Sequence, residues 1–227
     1  MWLFQTAHFS AAYRTIAIDL AGYGRSPAPT DGVTIADQAV ACWEAIDTLS
    51  SGAVIIQGNS MGSFVAMHMA VQHPDRCLAL ILSGTAYLPR RDMMVRRGER
   101  YRSQGIEHRR EQVLEHFPPA LRDRKLLQYY ADMVCEMNNA STLDSIVLMQ
   151  KALSIPEADS FFDQISTPTL IITGSEDPSR EAAYSLQSKV KGSRIVCIDG
   201  AGHSCNIEMP WEFDRHCSRF LAELGLA

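Results

Sequence analysis

Short apolar runs alternate along the chain with longer segments whose apolar residues recur every three or four positions. The runs at 15–20, 53–57, 77–82, 169–173 and 194–198 are rich in β-branched residues and predict five strands. Helical spacing predicts a helix over 34–49, with Thr34 as its cap and Ala36, Val40, Trp43, Ile46 and Leu49 on one face. Further helices are expected over 61–72, stopped by Pro74, over 179–190, and over 210–224 with proline in the first turn. Strands that are apolar on both faces and separated by helices imply an α/β fold, a mostly parallel sheet covered on both sides. Between Gly84 and Ser166 the alternation stops, and the chain becomes helical, polar and Met-rich. This predicts a core formed by 1–84 and 166–227, with 85–165 inserted as a helical lid, or cap, over the strand ends.

Active sites of open parallel sheets lie at the carboxyl ends of their strands. The second run is followed by Gly58-Asn59-Ser60-Met61-Gly62, the fourth by Gly174-Ser175-Glu176-Asp177-Pro178, and the fifth by Gly200-Ala201-Gly202-His203. A serine, an acid and a histidine therefore emerge at one edge of one sheet. A sharp strand-to-helix turn would lift Ser60 clear of the sheet, and Gly58 and Gly62 are expected to crowd each other there. His203 could then take the Ser60 proton, one of Glu176 and Asp177 could hold the imidazole, and the Met61 N–H could face a developing oxyanion. Adjacent residues of an extended segment point to opposite sides, so only one of the two acids can face His203. Of the other histidines, His68 is expected to pack against the sheet and His73 ends a helix. His8, His108, His116 and His216 follow no strand.

The blocks DLAGYGRS (19–26), GNSMG (58–62), HPDRCLALILSG (73–84), PTLIITGSEDP (168–178) and GAGHSCNIEMPWEF (200–213) resemble the α/β-hydrolase family, in the family's order. The resemblance implies a Ser60–His203–Asp177 triad, with Asp177 rather than Glu176 as the acid, and an oxyanion donor at Met61. Asp19 and Glu208 match family positions that are usually structural. The Asn-Ser-Met elbow resembles those of enol-lactonases and of carbon–carbon hydrolases. The latter typically carry tryptophan after the catalytic histidine, where this chain has Ser204. The resemblance also implies two hairpin-like strands and a strand ending in His-Gly before Asp19, with 1–12 as the helix that follows. No His-Gly pair occurs, and the expectation is an N-terminally truncated reading of a longer enzyme, with a natural short form as the other option.

Composition narrows the partners. A net charge of −5 and a pI near 5.8 give no electrostatic case for nucleic acid. No apolar run approaches the roughly 20 residues of a membrane span, and the N-terminus lacks a basic n-region. The six cysteines form no C-x-x-C pair, and the histidines show no metal-like spacing. The expectation is a cytoplasmic protein with reduced thiols, no metal, no cofactor, no membrane or nucleic-acid partner, and a small-molecule substrate. Oligomeric state has no signal in the sequence. Residues 90–110 hold eight arginines and three acids, readable as a lid that attracts a carboxylate substrate or as a solvated helix face, the second being favoured. Met93, Met94, Met133, Met137 and Met149 are expected either to line an adaptable pocket or to form the lid's own core.

The expected activity is cofactor-free hydrolysis of ester-like, lactone or related carbonyl substrates through an acyl-enzyme on Ser60. The alternative is a catalytically impaired homologue that acts as a non-catalytic or binding protein.

Overall fold

The computed structural model of the chain describes residues 1–27, 29, 32–85, 91–137 and 141–227; at 91–94, 97, 101, 106, 107, 141–143, 145 and 146 it describes the backbone alone. The chain opens with α1 (Leu3–Phe9) and α2 (Ile35–Asp47), then alternates β1 (Val54–Asn59), α3 (Met61–Gln72) and β2 (Cys77–Ser83). Four helices follow: α4 (Arg91–Glu115), α5 (Lys125–Met137), α6 (Ser141–Leu153) and α7 (Asp159–Phe162). The chain then returns through β3 (Thr169–Gly174), α8 (Arg180–Lys189), β4 (Arg194–Ile198), α9 (Cys205–Glu208) and α10 (Pro210–Glu223).

The four strands form one parallel sheet in chain order, β1-β2-β3-β4. With that order, right-handed crossovers bring the connecting helices to one face. Side chains alternate accordingly. Ile56, Leu80, Leu82 and Ile171 pack with Trp43 of α2, Val65 of α3 and Leu186 of α8. Ile81, Leu170, Ile172 and Ile198 pack on the other face with Phe213, Cys217 and Phe220 of α10. The Thr34 side chain accepts the Asp37 N–H and the Asp37 carboxylate accepts the Thr34 N–H, so α2 begins in a capping box. Its buried face is Ile35, Ala39, Cys42, Trp43 and Ile46, while Val40 and Leu49 are exposed. The face is therefore rotated from the expected one, because Leu49 lies past the helix end and Val40 points to solvent.

Between β2 and β3 the described residues form helices, as expected. α4 breaks at Gly105, whose φ is 70°. Val113 of α4, Phe117 of the link that follows it, and Leu127, Tyr130 and Ala131 of α5 form a small core. The methionines divide: Met149 is buried in the main core, Met133 packs on the small core, and Met137 lines the cavity described below. The side chains of Met93 and Met94 lie outside the described residues. The six cysteines are free thiols, four of them buried, with Cys135 half-buried and Cys197 exposed. No described helix is long and apolar enough to cross a membrane.

One expected strand is absent. Residues 15–20 run without strand pairing, so the sheet has four strands rather than five. A ladder needs a neighbour about 4.8 Å away. Here residues 15–20 and β1 form two banks of one cavity of about 1410 Å³, and no described strand lies between them. Ile18 and Leu20 still pack against the layer of α2 and α3. The apolar pattern at 15–20 thus records only a partial packing of Ile18 and Leu20 against helices, with Ile16 and Ala17 exposed, and no pairing.

Candidate active site

Ser60 joins β1 to α3 with φ 52° and ψ −118°, the one described non-glycine residue at positive φ. Such a conformation costs of order 1–3 kcal/mol and persists only when the surroundings impose it. Here β2 imposes it. The Ser60 N–H donates to the Ser83 carbonyl at 2.8 Å, and Ser63 Oγ donates to the carbonyls of Gly58 and Ser83 at 3.1 and 3.0 Å. A Cβ on Gly58 would fall on the Gly62 carbonyl and 2.8 Å from the Ser63 Cα. A Cβ on Gly62 would meet nothing within 4 Å. The expected mutual crowding is therefore one-sided: Gly58 faces the Gly62 backbone, while the Gly62 side position is open.

The carboxyl end of β4 carries the Gly200–His203 loop towards this turn. His203 Nε2 lies 3.0 Å from Ser60 Oγ, and His203 Nδ1 lies 3.1 Å from Asp177 Oδ1. A proton on Nδ1 would be donated to Asp177, leaving Nε2 to accept from the Ser60 hydroxyl. Asp177 Oδ1 also accepts the Ser179 N–H at 2.8 Å and the Ser179 hydroxyl at 2.7 Å. Burial pushes the Asp177 carboxyl up, but the hydrogen bond and charge of His203, with the two Ser179 donors, outweigh it and hold the group below its usual 3.8. Glu176 is exposed, and its N–H is spent on the Ala201 carbonyl. The geometry thus brings Ser60, His203 and Asp177 together and leaves Glu176 out.

Met61 begins α3, so its N–H points out of a helix N-terminus beside Ser60, where partial positive charge collects. No hydrogen bond among the described residues uses that N–H. Asp19 serves a turn: its carboxylate accepts the Arg25 N–H at 3.2 Å and its carbonyl accepts the Ser26 hydroxyl at 2.6 Å. Glu208 accepts the backbone N–H groups of Gly202 and Ser204, and burial raises its carboxyl above the usual range.

The other histidines separate on inspection. His68 does not pack on the sheet as expected. Its Nε2 lies 2.8 Å from Glu157 Oε1 and its ring lies against Phe161, both near the return from the inserted helices. His73 lies against Trp43, and His8, His108 and His216 are near Ser218, Gln112 and Glu212. His116 alone of these meets the site. Its ring is 5.1 Å from the His203 ring, tilted 31°, and its carbonyl accepts the His203 N–H at 3.4 Å. Gly202 makes this approach feasible, since a Cβ there would sit 2.6 Å from Pro118 Cδ. Sequence gives no such signal for His116, because it stands in a turn just past the polar α4, far in sequence from any strand end.

The cavity lined by Ser60, Met61 and His203 is also lined by Arg109, Val113 and His116 of the inserted segment, with Tyr130, Val134 and Gln150. Among the described residues no group of three or more His, Cys, Asp or Glu side chains could hold a metal ion.

Comparison with known proteins agrees with this architecture. A family model described as the alpha/beta hydrolase fold matches residues 1–133, more than half of the chain. (E)-2-((N-methylformamido)methylene)succinate hydrolase of Acinetobacter baylyi is 25% identical over 214 residues, covering 92% of this chain and 80% of the relative. The crystal structure of the enol-lactonase from Burkholderia xenovorans superposes with a TM-score of 0.89 at 24% identity, covering 97% of this chain and 85% of that one. A thermophilic esterase from Thermogutta terrifontis gives a TM-score of 0.84 at 22% identity, covering 98% and 85%. These two structures share the fold. With the family model spanning β1, the Ser60 turn and β2, the chain belongs to the alpha/beta hydrolase fold family.

Proposed function

We propose that the chain is a serine hydrolase of ester-like, lactone or related carbonyl substrates, with Ser60 as nucleophile, His203 as general base and Asp177 as the group that orients it. The observation that carries this reading is the continuous line of contacts from Ser60 Oγ to His203 Nε2 at 3.0 Å and from His203 Nδ1 to Asp177 Oδ1 at 3.1 Å. The Ser60 oxygen attacks the carbonyl carbon while its proton passes to His203 Nε2. The Met61 N–H faces the oxygen that becomes negative. Collapse of the tetrahedral adduct breaks the bond to the leaving oxygen, which takes the proton from His203, and leaves an acyl-Ser60 ester. A water, deprotonated by His203, then attacks that ester, releases the acid and restores Ser60. The ionised Asp177 stabilises the imidazolium formed at each stage. Residues 85–165 act as the lid, and the named relatives, themselves hydrolases, support the reaction class.

A second reading is favoured by the slot beside β1. That slot lies where the resemblance expects the strand whose end supplies a second oxyanion donor, and losing one such donor costs on the order of a hundred- to a thousandfold. In this reading the fold binds without turnover.

Fluorophosphonate labelling of the purified chain, with the modified peptide located by mass spectrometry, separates the two. The hydrolase reading expects a label on Ser60 that vanishes in Ser60→Ala and His203→Ala. A folded chain that takes no label supports the second reading and overturns the first.

A further inference from the structure

The turn after α4 meets the His203 loop at three points. The His116 ring lies 5.1 Å from the His203 ring, centroid to centroid, with 31° between the planes. The His116 carbonyl accepts the His203 N–H at 3.4 Å. Pro118 is buried against Gly202, where a Cβ would sit 2.6 Å from the Pro118 Cδ and 2.9 Å from the His116 carbonyl oxygen. A fourth contact comes from Gly84, where the chain leaves β2. Its φ is 53°, and a Cβ on it would fall 2.5 Å from the His203 carbonyl oxygen and 3.3 Å from His203 Cε1. The chain thus touches the base where it leaves the sheet and again in the link between α4 and α5.

Hydrogen bonds alone leave the imidazole one freedom. Its two nitrogens are anchored, Nε2 at Ser60 Oγ and Nδ1 at Asp177 Oδ1. Two anchors define a line, and the ring can swing about that line. Imidazole nitrogens donate and accept in the plane of the ring, so a swing misaligns both contacts at once. Contact on a ring face is what limits it. The His116 ring supplies such a contact, at a separation usual for paired aromatic rings. Gly84 bounds the Cε1 edge. His116 and Gly84 line the same cavity as Ser60.

We propose that His116 is a positioning residue for the general base: its ring is the wall against which the His203 imidazole keeps its plane aligned with Ser60 and Asp177. This rests on the reading of His203 as the base for Ser60. It gives the inserted segment a part in assembling the site as well as in lining the cavity. His116 acts through His203 and not on the reacting atoms, so it exchanges no proton in the reaction. A flat ring without a titrating nitrogen should therefore serve in its place, which separates this role from that of a second base.

The test uses the full chain and the rate of fluorophosphonate labelling at saturating probe. His116→Ala is expected to label about ten- to a hundredfold more slowly, the loss that a displaced reacting group brings, with the half-saturating probe concentration unchanged. His116→Gln, polar but without a ring, should lose rate in the same way. His116→Phe should recover most of it, and Glu115→Gln, at an exposed neighbouring position, should match the parent. Nitrogen NMR of chains carrying 15N-labelled histidine gives a second readout that needs no chemistry at Ser60. The parent and His116→Phe should show the His203 ring in one tautomer, with the proton on Nδ1, and His116→Ala a mixture. An unchanged rate and tautomer in His116→Ala, or an equal loss in the alanine and phenylalanine variants with melting temperatures like the parent's, would overturn the role. A parent that takes no label but shows the tautomer contrast removes the catalytic reading and keeps the positioning role. A parent that labels, with no contrast between it and His116→Ala, does the reverse.

Discussion

Glu208 holds His203 in place from both sides: its carboxylate accepts the N–H groups of Gly202 and Ser204, the two residues that flank the imidazole. The loop has few other ways to satisfy these buried donors. The residue thus sets where the base stands without touching a substrate.

Replacing Glu208 by alanine should strand both donors and cost about 1–3 kcal/mol of stability, with a drop in the rate of Ser60 labelling. Glu208→Gln keeps an acceptor oxygen and should lose less. Burial raises the Glu208 carboxyl above its usual 4.5, so its contribution is full below 4.5 and declines as pH rises through the raised value. Chemical denaturation across that window should show the decline in the parent chain and its absence in Glu208→Gln. An identical pH slope in both would contradict this account.

Asp177 behaves in the opposite sense. Its carboxyl is held below the usual 3.8, so its stabilising contribution is present above 3.8 and is lost as pH falls through the lowered value. Asp177→Asn should abolish that acid-side loss. At neutral pH it should also slow labelling and turnover by roughly 10³–10⁴-fold, because the imidazole loses its orienting partner. Glu176→Gln, at an exposed position, should change the rate little. Reversal of the two phenotypes would move the acid to Glu176.

The two glycines of the Ser60 turn should respond differently. Gly58→Ala drives a methyl group into the Gly62 carbonyl, and a clash with backbone should cost about 1–3 kcal/mol or more. Gly62→Ala meets open space near the start of α3 and should leave stability within about 1 kcal/mol of the parent. Thermal melts of the two variants check the contrast; equal losses would mean that the turn resists change for a reason other than this contact.

Much of the sheet was legible because its two central strands, β2 and β3, are almost wholly buried and therefore read as short, unbroken apolar runs. α3 occupies 61–72 and β4 occupies 194–198, as periodicity predicts, and the residues after β1, β3 and β4 assemble the Ser60, Asp177 and His203 line. Residues 15–20 misled because apolar, β-branched character does not by itself supply a neighbouring strand, and here Ile16 and Ala17 are exposed. Ile18 and Leu20 are half-buried against the helix layer, while no described strand pairs with their backbone.

The sequence by itself determined the order of elements, the turn that exposes Ser60 and the edge at which serine, acid and histidine emerge, since each depends on neighbours within a few residues. Tertiary structure decided the rest. It turned Gly58 rather than Gly62 into the tight position, brought His116 onto His203 and set Arg109 of a basic helix against the cavity. These outcomes depend on contacts between segments dozens of residues apart, where direction in space, not residue type, determines what a side chain meets.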